Sequence, residues 1–131
     1  MSRCLLIDIS NTFTKLVRAE KNRLGKPVRV PTSGLNASAV NRHLKGCDQV
    51  VVASVVPEAT LRIAPALPHG SILVGPNTAA GLKIRYPKPS HIGADRLANA
   101  VACVHLHGAP AIVVDFGTAV TFDVIAPDGA Y

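Results

Sequence analysis

The chain has 131 residues, 48% of them apolar and 17% charged, with a net charge of +6. That balance excludes a disordered polypeptide and leaves room for one ordinary domain, or one and a fraction. Tryptophan is absent and aromatic residues make up 4%, so the core must be built from Val, Ile, Leu and Ala, as in a sheet flanked by helices.

Residues 4–9 read as a strand apolar on both faces, and residues 13–20 as the strand that returns beside it. Residues 22–26 read as a turn and residues 27–31 as a possible third strand. The positive charge gathers here: Lys15, Arg18, Lys21, Arg23, Lys26 and Arg29 face only Glu20. An anion-attracting surface and a pair of solvated strands both fit that run. Nucleic acid fits poorly, because no aromatic residue lies between positions 16 and 29 to stack a base.

Residues 37–45 suit a short helix with Ala37, Val40 and Leu44 on one face. "VVVAS", residues 50–54, is a buried strand. A helix should start at Pro57, with Glu58 complementing its dipole, and end near Ala64 because of Pro65. "SILVG" reads as a further strand. Residues 76–93 form a connector rich in Gly and Pro, with a short strand candidate at residues 82–86. Residues 94–107 are the strongest helix, with Leu97, Val101 and Val104 as its apolar stripe and Gly108 and Pro110 as its stop. A strand starts at Ala111, turns at Gly117 and returns over residues 120–125. The sequence Pro127-Asp128-Gly129 marks another turn. Strand and helix in alternation predict an α/β fold, and the last hairpin reads as the opening of a second unit that this chain does not contain.

Two stretches share one plan. "LLIDISNTFTK" places Asp8 at the end of an apolar strand, before the polar turn Ser10, Asn11, Thr12. "IVVDFGTAVTFD" places Asp115 before Gly117 and Thr118. Tight turns that offer backbone N–H groups and hydroxyls suit phosphate. A carboxylate just before such a turn suits a cation that itself meets phosphate. Lys15 adds a point charge. Ordinary strand-end turns explain either hairpin alone; the repeat argues for a device used twice. Asp123, two residues past Thr121, reads as solvent-facing or as a minor member of the site. In "YPKPSHIGADRLANAVA", Gly93 permits close approach of a ligand, and Asp95 and Arg96 open the helix. A base beside an anion-binding Arg is a way to hold and activate an alcohol. The histidines at 43, 69, 91, 105 and 107 have no ligand spacing. Cys4, Cys47 and Cys103 are odd in number and have no metal motif, so they read as reduced thiols of a cytoplasmic protein. No signal peptide is evident, and no apolar stretch approaches the ~18 residues of a membrane span.

These motifs resemble those of the type III pantothenate kinases, of the acetate and sugar kinase, Hsp70 and actin superfamily. "DISNTFTK" resembles the family's phosphate hairpin, with Ser10 where the family has Gly. "GADRLANAVA" resembles its substrate and catalytic helix, and "DFGTAVTFD" its second hairpin. The resemblance covers the whole chain but only about the first half of a family member. It implies a ribonuclease H-like, actin-like ATPase domain, a mixed sheet flanked by helices, over residues 1–110. Residues 111–131 would be the first hairpin of a second, similar domain. It implies ATP-dependent phosphorylation of pantothenate, the first step towards coenzyme A, by a cytoplasmic homodimer that uses Mg²⁺ and a monovalent cation, K⁺ or NH₄⁺. By position, Asp8, Ile9, Ser10, Asn11, Thr12, Phe13, Thr14 and Lys15 would form the ATP phosphate segment, with Thr118 also meeting ATP. Tyr86, Gly93, Ala94, Asp95 and Arg96 would contact pantothenate, Asp95 as the base, and Asp115 would bind the monovalent cation. No nucleic acid or membrane partner is implied. The chain alone would be inactive unless another chain supplied the rest. A non-catalytic nucleotide-binding relative of the same fold is the alternative, motivated by Ser10 and the missing half.

Overall fold

Strand β1, Arg3–Ile9, runs antiparallel to β2, Phe13–Glu20, with Asp8 opposite Lys15 in the register. The computed structural model describes residues 2–79 and 81–131. Its described residues form two compact units, Met1–Leu73 and Val74–Tyr131.

In the first unit, β2 also pairs with β3, Arg23–Leu24, and with β4, Val28–Pro31. On its other side β1 lies parallel to β5, Gln49–Ser54, which lies parallel to β6, Ile72–Leu73. The mixed sheet therefore runs β3-β2-β1-β5-β6, with β4 alongside β3 on the same edge of β2. Parallel strands need a long crossover, and α1, Ala37–Leu44, supplies it between β4 and β5. Asn36 caps α1 by accepting the Ala39 N–H at 2.9 Å, the usual service of an Asn at that position. Helix α2, Pro57–Ile63, starts on Pro57, and a 3₁₀ turn over Ala64–Ala66 ends it where Pro65 forbids continuation.

The core follows the two-residue period of the strands. Leu5, Ile7 and Ile9 of β1, Val50 and Val52 of β5, and Leu16 of β2 are buried against Val40 of α1 and Ala59 and Ile63 of α2. Removing each large side chain of this set from water contributes about 1.5–3 kcal/mol. The opposite face of β1, with Leu6 and Asp8, is only half-buried. The expected strand at "SILVG" shrinks to two residues. The expected turn at 22–26 contains the short strand β3.

In the second unit, α3, Ala94–His107, lies against the hairpin of β7, Ala111–Phe116, and β8, Val120–Ile125. Gly108 ends the helix at φ +84°, a left-handed conformation that glycine takes without steric cost. The buried line of α3 is Ala94, Leu97 and Ala100, with Val101 and Val104 half-buried. Small alanines let the helix sit close. The hairpin turns Ile112, Val114 and Phe116 of β7, paired with Val124, Phe122 and Val120 of β8, outward, each 41–82% exposed. The strand candidate at 82–86 is instead a single bridge. Tyr131 N–H donates to Lys83 O at 2.7 Å, and Arg85 N–H to Tyr131 O at 2.8 Å. Among the described residues no helix is long and apolar enough to cross a membrane.

Candidate active site: a clamped hairpin and a helix start

The first hairpin is not a uniform binding surface. Asn11 and Thr12 at its tip are exposed, as is Lys15, and Asp8, Ser10 and Phe13 are half-buried. Ile9 and Thr14 are sealed inside, at 1% and 0% exposure, so their side chains serve the fold and only their backbone remains to a ligand. Ser10 N–H donates to Phe13 O at 3.1 Å, which closes the turn. Thr32 secures it from behind. Its hydroxyl donates to Ser10 O at 2.7 Å and lies 3.0 Å from the Thr14 hydroxyl. Its N–H donates to Thr12 O at 3.0 Å. The guanidinium of Arg29 stacks 3.7 Å over the Phe13 ring.

Ser10 is not in the left-handed region. Among the described residues that conformation belongs, outside glycine, to Lys21. A serine at this position therefore costs no backbone strain. Gly117 has no positive φ either, so the second turn does not depend on glycine's conformational freedom.

In the second unit, Gly93 stands at the N-cap of α3 and Asp95 in its first turn. Asp95 Oδ1 accepts the N–H of Arg96 at 2.9 Å. The Arg96 side chain leads away to β8. Its Nε–H donates to Asp123 Oδ1 at 2.6 Å and its Nη2 to Phe122 O at 2.8 Å. Tyr131 donates its hydroxyl to the same Asp123 Oδ1 at 2.6 Å, and its ring meets Tyr86 edge-on, 6.4 Å between centroids. Tyr86 with Lys88 and His91 lines a hollow of about 210 Å³. Asn99 donates to Asp115 Oδ2 across 3.3 Å, and both line a shallow cleft of about 520 Å³ between α3 and β7. Thr118 is exposed at the hairpin tip. Among the described residues no group of three or more His, Cys, Asp or Glu gathers to hold a metal.

Asp123 corrects the sequence expectation. It is 1% exposed, not solvent-facing, and its Oδ2 is buried without a hydrogen-bond partner among the described residues. The two-residue period held the signal: Asp123 shares its face of β8 with Ile125, which is also buried. The apolar Phe122 and Val124, which normally mark the core face, point outward here. Tyr131 carried no sequence signal.

Burial opposes the charge on Arg96, and the hydrogen bond and charge of Asp123 outweigh it, so the guanidinium is held above its ordinary pKa. Burial, the hydrogen bond to Asp123 and its charge push Tyr131 up to about 12. An unfolded tyrosine ionises near ~10. Between those values the folded chain holds a proton that the unfolded chain has lost, so the stability from this group is full below pH ~10 and falls as pH rises towards 12. Denaturant midpoints measured from pH 9 to pH 12 should therefore decline less steeply in Tyr131→Phe than in the wild type. Equal slopes would mean that the phenol is not so held.

Comparison with known proteins places these features in a family. The family model described as type III pantothenate kinase matches residues 4–131. A type III pantothenate kinase of Akkermansia muciniphila is 44% identical over 97% of this chain and 54% of its own length. One of Methylacidiphilum infernorum is 36% identical over 97% of the chain and 48% of its own length. One of Moorella thermoacetica is 48% identical over 67% of the chain and 36% of its own length. The chain spans about half the length of the curated relatives it matches.

Proposed function

Because the chain belongs to the type III pantothenate kinase family, we propose that it carries the phosphate hairpin and the substrate helix of an enzyme that phosphorylates pantothenate with ATP. The observation that carries this reading is the start of α3, where a half-buried Asp95 sits beside an Arg96 anchored by a buried carboxylate. Phosphoryl transfer asks for positioning and charge neutralisation more than covalent chemistry. Asp95 accepts the proton of the primary hydroxyl as the oxygen attacks the terminal phosphorus of ATP, whose bond to the bridging oxygen breaks to release ADP. Arg96, Gly93, Ala94 and Tyr86 hold pantothenate. The residues from Asp8 to Lys15 and Thr118 hold the phosphates, with Asn11, Thr12 and Lys15 as the exposed side chains. Mg²⁺ on the phosphates and K⁺ or NH₄⁺ at Asp115 would supply charge neutralisation when bound.

The domain reading proposed here is an actin-like ATPase domain over residues 1–110 and the first hairpin of a second domain over 111–131. The outward apolar face of β7 and β8 supports it, since contiguous exposed apolar side chains such as Ile112, Val114, Phe116, Val120, Phe122 and Val124 mark a surface that is normally covered. The free, half-buried cysteines support a reducing, cytoplasmic setting. A homodimer is part of the same proposal. A non-catalytic nucleotide-binding relative loses one of its motives, because Ser10 imposes no strain.

A coupled ADP-release assay with pantothenate, ATP, Mg²⁺ and K⁺ tests the reading. It is run on the chain alone and on the chain joined to the C-terminal half of the Akkermansia muciniphila relative. Pantothenate-dependent turnover by the joined protein is expected. A well-folded joined protein that binds ATP but releases no ADP with pantothenate would overturn the kinase reading in favour of the non-catalytic one.

A further inference from the structure

Arg96 and Tyr86, the two side chains proposed to hold pantothenate, are tied together by residues to which the kinase reading gives no contact with substrate. Asp123 Oδ1 receives both the Nε–H of Arg96 and the hydroxyl of Tyr131, each at 2.6 Å. The Tyr131 ring abuts Tyr86. The Tyr131 main chain is fixed by its two bonds to Lys83 and Arg85, just before Tyr86. One path thus runs Arg96, Asp123, Tyr131, Tyr86, all inside the second unit.

The chemistry of that path is poor value as fold stabilisation. An ion pair that takes a carboxylate fully out of water, as Asp123 is taken here while the Arg96 side chain stays 37% exposed, contributes little net stability over an apolar substitute, and among the described residues Oδ2 of this carboxylate is buried without a hydrogen-bond partner. Such a group calls for another explanation. What the arrangement does well is fix direction. The guanidinium is a rigid fork. Asp123 takes its Nε–H and Phe122 O its Nη2, so its plane is set, while Nη1 takes part in neither bond.

We propose that Asp123 and Tyr131 are positioning residues of the pantothenate site, which set Arg96 and Tyr86 in place before substrate arrives. The inference rests on the reading of those two residues as pantothenate contacts. Preorganised contacts bind more tightly because less freedom is lost on binding.

The test is nuclear magnetic resonance of the ¹⁵N-labelled chain joined to the C-terminal half of the Akkermansia muciniphila relative, following the Arg96 Nε–H signal during titration with pantothenate. In the wild type the signal should be slow to exchange with solvent and should move as pantothenate binds. Tyr131→Phe removes one hydroxyl and keeps the ring. It should shift the Arg96 signal, leave the chain folded and raise the Kd for pantothenate about tenfold, the worth of one well-placed hydrogen bond. Asp123→Asn should expose the Arg96 Nε–H to exchange and weaken binding further; if that variant does not fold, Tyr131→Phe still decides. A Tyr131→Phe chain that keeps the wild-type Arg96 signal and a Kd within about twofold of wild type would overturn the inference. A flat titration of the wild type, with the Arg96 signal still sensitive to Tyr131→Phe, would instead overturn the substrate reading and this inference with it.

Discussion

Asp95→Asn is expected to reduce pantothenate-dependent turnover of the joined protein by about 10²–10⁴-fold, the usual worth of a general base, with its thermal midpoint nearly unchanged. The argument depends on what asparagine keeps. The side chain has the same shape, and its carbonyl oxygen can still accept the Arg96 N–H that Asp95 Oδ1 accepts at 2.9 Å. The helix start is therefore preserved, and the Arg96 anchor on Asp123 is untouched. A small loss from the helix dipole, about 0.3–1 kcal/mol, is the only expected cost to stability. What disappears is a group able to take a proton. The KM for ATP should hold, since Asp95 lies outside the phosphate hairpin. Turnover within tenfold of the wild type would remove Asp95 from the chemistry and leave it as a helix-dipole residue.

Much of this architecture is legible in the sequence where one principle acts alone. β1, β2, β5, α1, α2 and α3 follow from period, β-branching, Pro57, Pro65 and Gly108, because each is decided within its own segment. The failures come where two segments decide together. Residues 82–86 have strand composition, but among the described residues they form a single bridge, Lys83 to Ala130. Asp123 looks exposed by its charge, and it is buried because Arg96, a turn into another element, supplies the counter-charge. Val120, Phe122 and Val124 of β8 look like core and face outward because α3 takes the other side. Thr32 gives no sequence signal either. It is one polar residue after a short edge strand, and its importance lies in meeting Ser10, Thr12 and Thr14 across the fold.

Thr32→Val is therefore the informative substitution in the first unit, with an expected loss of about 2–4 kcal/mol in stability. Valine matches threonine in shape, so packing and the Thr32 backbone bonds to Thr12 O and from Arg62 Nη2, at 3.0 and 2.8 Å, can persist. The hydroxyl cannot. Thr32 is 3% exposed and Thr14 fully buried, so water cannot readily replace what is lost. Ser10 O, half-buried, loses a donor worth about 1 kcal/mol, and the fully buried Thr14 hydroxyl loses its partner at about 1–3 kcal/mol. Chemical denaturation of the chain measures the sum, and a loss below about 0.5 kcal/mol, the scatter of surface substitutions, would mean that Thr32 does not secure the hairpin. The partner variant makes the reasoning sharper. Thr14→Val alone takes from the Thr32 hydroxyl one of its two bonds and leaves it the bond to Ser10 O, and in the double variant no hydroxyl is stranded, though Ser10 O still lacks its donor. Thr14→Val/Thr32→Val should then cost less than the two single changes added, by about 1 kcal/mol or more, as contacting residues do. On the kinase reading the same loosening reaches the phosphates. The joined protein carrying Thr32→Val should bind ATP more weakly even where it remains fully folded, because the turn at Ser10, Asn11 and Thr12 would no longer be held in shape before the nucleotide arrives.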